Sequence, residues 1–135
     1  GLAKAIVKYQ DPSSGTWYQV TDQGAREGNY LESSATALFI YTLAKAINKG
    51  YIGNEYIEPT QKAFDGMVKT FTRLEEDGSY TITNCCAVAG LGGDSKRYRD
   101  GSFEYYISEP IIENDPKSVG SFILAAIEYE KMTKK

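Results

Sequence analysis

The stretch Ser33-Ser34-Ala35-Thr36-Ala37-Leu38-Phe39-Ile40-Tyr41-Thr42-Leu43-Ala44-Lys45-Ala46-Ile47-Asn48-Lys49-Gly50 decides the fold class. A serine at its head can accept the free N–H groups of a first helical turn, and Gly50 suits the left-handed residue that follows a last one. Between them Ala35, Ala37, Leu38, Phe39, Ile40, Tyr41, Leu43, Ala44 and Ile47 cover nearly the whole circumference. A helix that is apolar all round is buried on several sides. The pattern predicts an inner helix from Ser33 or Ser34 to about Lys49.

Toward the C-terminus, a short turn over Tyr51 to Asn54 leads to a second helix, roughly 55–73. Phe64, Met67, Val68 and Phe71 form one stripe on it, opposite Gln61, Lys62, Asp65 and Lys69, which marks a surface helix. Toward the N-terminus lies a long polar loop with an extended piece at Thr16 to Val20. Before it, Leu2, Ala5, Ile6 and Tyr9 fall at helical spacing, predicting a helix over 1–10. That helix carries no N-cap signal, as expected where chain precedes it.

Beyond residue 73, Asp77-Gly78 opens a second long loop in which Ser79 to Thr83 alternate and Cys85 to Gly93 are mostly small. After Asp100-Gly101, Phe103, Tyr105 and Ile107 alternate like a short strand. Glu109 must be extended because a proline follows it. Asp115-Pro116 starts a last helix, about 116–132, with Asp115 as N-cap and Pro116 at the first position. Its lysine-rich end complements the helix dipole. Three triplets, Gly15-Thr16-Trp17, Gly78-Ser79-Tyr80 and Gly101-Ser102-Phe103, repeat glycine, small hydroxyl, aromatic.

The layout alternates long loops with a short turn, so both long loops fall at one end of stacked hairpins. This is an all-α class: an α/α toroid fragment, part of a six-hairpin barrel, of about two helical hairpins with short extended pieces in the long loops. Residues 1–135 form a single domain by length.

Composition excludes several classes. The net charge is −3 and histidine is absent. An acidic chain is no general nucleic-acid binder, and no apolar run is long enough for a membrane span. Without histidine there is no Ser-His or Cys-His nucleophile and no ordinary zinc site, so neither metal nor cofactor is expected. Cys85 and Cys86 are adjacent, poorly placed for a disulfide, and read as small buried residues. Free thiols and the absence of glycosylation sequons fit a reducing compartment and so a cytoplasmic location, with a periplasmic or secreted one as the alternative.

Gly15-Thr16-Trp17-Tyr18-Gln19-Val20, Arg26 through Ala35, and Asp100 through Tyr106 continuing to Asn114-Asp115-Pro116-Lys117 together resemble the C-terminal part of the unsaturated rhamnogalacturonyl hydrolases. These are relatives of the unsaturated glucuronyl hydrolases, in glycoside hydrolase families 105 and 88. The resemblance covers essentially the whole chain, with the motifs in order. It implies about the last third of an (α/α)6 barrel and removal of 4,5-unsaturated uronic acid from oligosaccharides. The implied chemistry is hydration of a vinyl ether by an aspartate acting as general acid and base. In the family that aspartate, with a histidine and tryptophans, comes from earlier chain, so no catalytic residue is carried onto these positions.

The residues singled out for substrate binding are Trp17, Arg26, Asn29, Tyr30, Tyr106 and Lys117. Arg26 and Lys117 can meet a uronate carboxylate near helix N-termini, against the alternative of ion pairs with Glu27 or Glu32 and with Glu113. Trp17, Tyr30 and Tyr106 can stack on sugar rings, against core packing. Glu27, Glu32, Glu109 and Asp115 invite a paired-carboxylate mechanism, but Asp115 reads better as a cap and Glu32 as a positioning group for Asn29 or Arg26. The glycines from Ala89 to Lys96 lack phosphate-loop spacing and read as a connector. The expected partners are an unsaturated uronate oligosaccharide and the rest of the barrel or a second copy. Competing readings are a non-catalytic carbohydrate-binding module and a helical interaction module.

Overall fold

The computed structural model describes residues 1–94 and 98–134. Ser95 and Lys96 of the glycine-rich connector, and Lys135 of the terminal tail, lie outside the described residues. Helices dominate: α1 (Leu2–Lys8), α2 (Ser33–Asn48), α3 (Ile57–Phe71), α4 (Phe103–Ser108) and α5 (Pro116–Thr133). A 3-10 turn over Asn54–Tyr56 precedes α3. Among the described residues four very short strands, β1 (Thr72–Leu74), β2 (Tyr80–Ile82), β3 (Cys85–Cys86) and β4 (Ile111–Ile112), make two antiparallel pairs, β1 with β2 and β3 with β4. None of the described helices is long and apolar enough to cross a membrane.

α2 and α5 run side by side in the same direction. Near their starts the Ser33 and Ser118 hydroxyls bond at 2.8 Å, and near their ends Asn48 Nδ2 donates to the Glu128 carbonyl at 2.9 Å. α3 packs back against α2, and the Phe64 and Tyr129 rings stack at 3.9 Å, joining α3 to α5. Ile40, Leu43, Ala63, Met67 and Phe71 close the core between them. Removing that apolar surface from water is the main stabilising contribution, at roughly 25 cal/mol per Å².

The structure amends four local expectations. Glu32, rather than Ser33 or Ser34, caps α2: its carboxylate accepts Ala35 N–H at 2.7 Å. Ser33 is thereby released to face Ser118. Phe103, Tyr105 and Ile107 sit on α4, not a strand, because the Ser102 hydroxyl accepts Tyr105 N–H and nucleates a turn. α2 is not sealed all round, since Leu38 is 48% exposed. Finally, α3 stops at Phe71, where Thr72 turns extended and enters β1.

The three glycine triplets share a conformation. Gly15, Gly78 and Gly101 all have φ between 77° and 84°, the left-handed region where a side chain is strained. Two of the triplets then enter extended chain, at the Tyr18–Leu31 bridge and at β2. The third enters α4. Gly66 meets a different demand: a Cβ there would lie 1.9 Å from the Ser14 carbonyl, so the first long loop lies directly on α3.

Candidate functional site

The two long loops meet where α2 and α5 begin. Glu32 joins them from beneath. Besides capping α2, it accepts Cys86 N–H at 3.0 Å and the Ser34 hydroxyl at 2.8 Å, with 1% of its surface exposed. Asn84 completes the seam: its carbonyl accepts Ser33 N–H and its amide donates to the Leu31 carbonyl. At the start of α5, the Asp115 carboxylate accepts Lys117 N–H at 2.8 Å, and Pro116 takes the first turn. Parallel helices bring two positive dipole ends to one place, and each meets a carboxylate at its cap.

Arg26 sits over the Phe103 ring at 3.8 Å and is ion-paired with Glu104, clamping the first loop to α4. Its partner is thus neither Glu27 nor Glu32. Asn29 folds the same loop: its amide donates to the Val20 and Gln23 carbonyls at 2.9 and 2.8 Å, and its oxygen accepts Tyr30 N–H. Arg26, Asn29 and Tyr30 therefore form one rigid corner. Tyr106 is brought alongside on α4, tilted against Tyr105 at 5.0 Å. Lys117 donates to the Ala87 carbonyl at 3.0 Å and to Asp115 at 2.7 Å, not to Glu113, which Arg73 holds instead. Asp115 and Lys117 shift each other: the ammonium holds the carboxyl below its ordinary range, and the carboxylate raises the ammonium.

Trp17 does not belong to this surface. It is fully buried, donates its indole N–H to the Ile6 carbonyl at 2.8 Å, and meets Phe39 edge-on at 5.2 Å. Stacking on a sugar is excluded for Trp17 because its faces are occupied by α1 and α2. Tyr30 is half-buried, with its hydroxyl enclosed beside the Cys86 thiol. Burial first, then the neighbouring Cys86, pushes that phenol far above its ordinary range, so it is a neutral contact at any physiological pH. Burial likewise pushes the Cys85 thiol up to about 11. A thiol held protonated makes a poor nucleophile.

No described group of histidine, cysteine and acidic residues fits a metal ion. The carboxylates are occupied structurally: Glu32 holds the seam, Asp115 caps α5, and Glu109, 2% exposed, faces the Arg99 guanidinium at 3.5 Å. Glu32 therefore does not position Asn29 or Arg26. This end gathers Arg26, Lys117, Tyr30 and Tyr106 near two helix starts, with each cation already paired to an acid, and its capping carboxylates do not form an acid–base pair. Sequence reading overlooked Glu104, Arg99 and Tyr105; an acidic residue in the first turn of an unrecognised helix is the signal that would have found Glu104.

Comparison with known proteins places this geometry. The model of the family described as Glycosyl Hydrolase Family 88 matches residues 1–133. A C. acetobutylicum glycoside hydrolase from family 105 superposes with a TM-score of 0.91 at 45% identity, over 95% of this chain and 35% of its own. A possible member of the GH105 family from Salmonella enterica superposes with a TM-score of 0.75 at 26% identity, over 98% of this chain and 30% of its own. Protein Atu3128 of Agrobacterium fabrum is 37% identical over 131 residues, which are 94% of this chain and 56% of that protein. The chain thus spans about half the length of that curated relative and about a third of the solved enzymes.

Proposed function

The chain belongs to Glycosyl Hydrolase Family 88, and from that premise we propose that it is the C-terminal segment of an enzyme that removes 4,5-unsaturated uronic acid from oligosaccharides. The reaction is hydration of the vinyl ether, with the aspartate general acid and base on a part of the family fold outside these 135 residues. This segment supplies barrel wall and a sugar-binding rim. Arg26 and Lys117 meet carboxylate or hydroxyl groups once substrate displaces their present partners. Asn29, Tyr30 and Tyr106 line the same rim.

One observation carries the reading: a TM-score of 0.91 to a family 105 enzyme over only 35% of that enzyme. In this reading the fold is a toroid in which α2 and α5, which run parallel, are inner helices and α3, packed back against α2, is the outer return. The flank of α5 bearing Ile123, Leu124 and Ile127, each 45–55% exposed, is where the rest of the ring packs, or a second copy in its absence.

The test compares this chain with a longer protein carrying the preceding barrel, both incubated with an unsaturated rhamnogalacturonan disaccharide. Loss of the ultraviolet absorbance of the conjugated double bond is expected for the longer protein only. Robust turnover by the 135-residue chain would overturn the assignment of the chemistry to other residues. Sedimentation of this chain is expected to show self-association; a compact monomer that survives dilution would remove the role given to the α5 flank.

A further inference from the structure

The α2–α5 pair has two outward flanks, and their residues correspond in position. Ser33 and Ser118 face each other across the pair. Leu38 and Thr42 lie five and nine positions after Ser33, and Ile123 and Ile127 lie five and nine positions after Ser118. At ~100° per residue, these side chains are turned roughly 140–180° from the contact their helix already makes. Because the helices are parallel, the two sets point to opposite sides of the pair. All four residues are exposed, Leu38 at 48%, Ile123 at 55% and Ile127 at 45%. The total surface agrees with two uncovered flanks. A free-standing monomer of 14.9 kDa exposes about 7,000 Å², whereas this chain exposes 7883 Å². The surplus of about 900 Å² is of the order that one partner loses in a standard protein interface.

We propose that the α5 flank of one protomer docks on the α2 flank of the next, head to tail, and that three protomers close into a ring. A two-fold contact of α5 on α5 covers Ile123 and Ile127 but leaves Leu38 in water, and a two-fold contact of α2 on α2 does the reverse. Head-to-tail docking covers both flanks of every protomer, and it stops growing where the rotation closes. That rotation rests on the toroid reading proposed above: the chain superposes on 35% of a family 105 enzyme, so each copy takes about a third of a turn. The junction also repeats the packing at the centre of the chain, two parallel helices side by side.

Analytical ultracentrifugation of the 135-residue chain tests the ring. The parent is expected to sediment as one species of about 45 kDa, three times 14.9 kDa. Leu38→Asp and Ile127→Asp each fall to monomer, because each charge sits in the junction. Both positions are exposed, and the far-ultraviolet helix signal reports whether the variants fold. Thr42→Arg repeats the test on the α2 flank without removing an apolar residue. Mixing the two aspartate variants separates head-to-tail docking from two-fold contact. One copy then offers an intact α2 flank and the other an intact α5 flank. A 1:1 pair therefore forms, at about tenfold higher concentration than the parent ring needs, and grows no further. The proposal is overturned by a monomeric parent, by a dimer that survives Leu38→Asp, by a filament that never closes, or by a mixture that stays monomeric. None of these outcomes bears on the vinyl ether assay of the longer protein, which decides the proposed reaction separately.

Discussion

The two ends of the α2–α5 pair are built from the same helices yet solve opposite problems. At the starting end, long loops fold down over the helices and are tied to them by buried hydrogen bonds through Glu32, Asn84, Ser33 and Asp115. At the finishing end there is a short turn, an amide bridge from Asn48 to Glu128, and exposed lysines, of which Lys131 pairs with Glu128 and Lys134 with Glu130. Covering a helix start with loops demands specific acceptors for its N–H groups. Leaving a helix end in solvent demands only charge of the right sign. Rigidity and specificity therefore concentrate at the starting end, and the finishing end is free to vary.

The sharpest way to break that contrast is Glu32→Ala. It removes a cap worth about 1 kcal/mol and strands the Cys86 N–H, at a further ~1–3 kcal/mol. A loss of about 3 kcal/mol in urea unfolding is expected, and a loss under ~1 kcal/mol would mean the seam is not what holds the loops. Next comes Ser118→Ala, which leaves the buried Ser33 hydroxyl without its partner and costs about 1–2 kcal/mol by the same measurement. Asn48→Ala, its counterpart at the finishing end, is expected to cost less, about 1 kcal/mol, since the Glu128 carboxylate it leaves keeps Lys131 as a partner. If Asn48→Ala proves worse than Ser118→Ala, the ranking of the two ends is reversed.

The smallest effect is a pH dependence. Lys117 and its own backbone N–H lower the Asp115 carboxyl, and Asn48 followed by Lys131 lowers that of Glu128. A group lowered on folding contributes stability that is complete above its unfolded value, about 3.9 for Asp and 4.3 for Glu, and is lost as pH falls through the folded one. Melting temperature should therefore drop from about pH 6 to pH 3 less steeply in Asp115→Asn and in Glu128→Gln than in the parent. Equal slopes in parent and variants would show that neither carboxylate is coupled to folding.

What the sequence revealed follows the range of the forces involved. α5 began at Pro116, and Gly50 took the left-handed conformation just past α2, because caps and stops depend on neighbours in the chain. The meeting of the Arg26 and Tyr106 segments at one end was also legible, from loop lengths alone. The residues misjudged were those decided by distant chain. Phe103 and Ile107 fit helical spacing as well as alternation, and the Ser102 cap settled it. Trp17 looked like an exposed loop aromatic because nothing nearby in sequence announces that α1 folds across it. Glu32 outcompeted two serines since only its longer side chain reaches both Ala35 and Cys86.

The bond from the Trp17 indole to the Ile6 carbonyl makes this region its own fluorescent reporter. The chain has a single tryptophan, so its emission comes from one address, the joint between α1 and the rest. A seven-residue helix has too few turns to persist alone. Detachment of α1 would wet the indole and move its emission to the red, while the far-ultraviolet signal of the longer helices stayed in place.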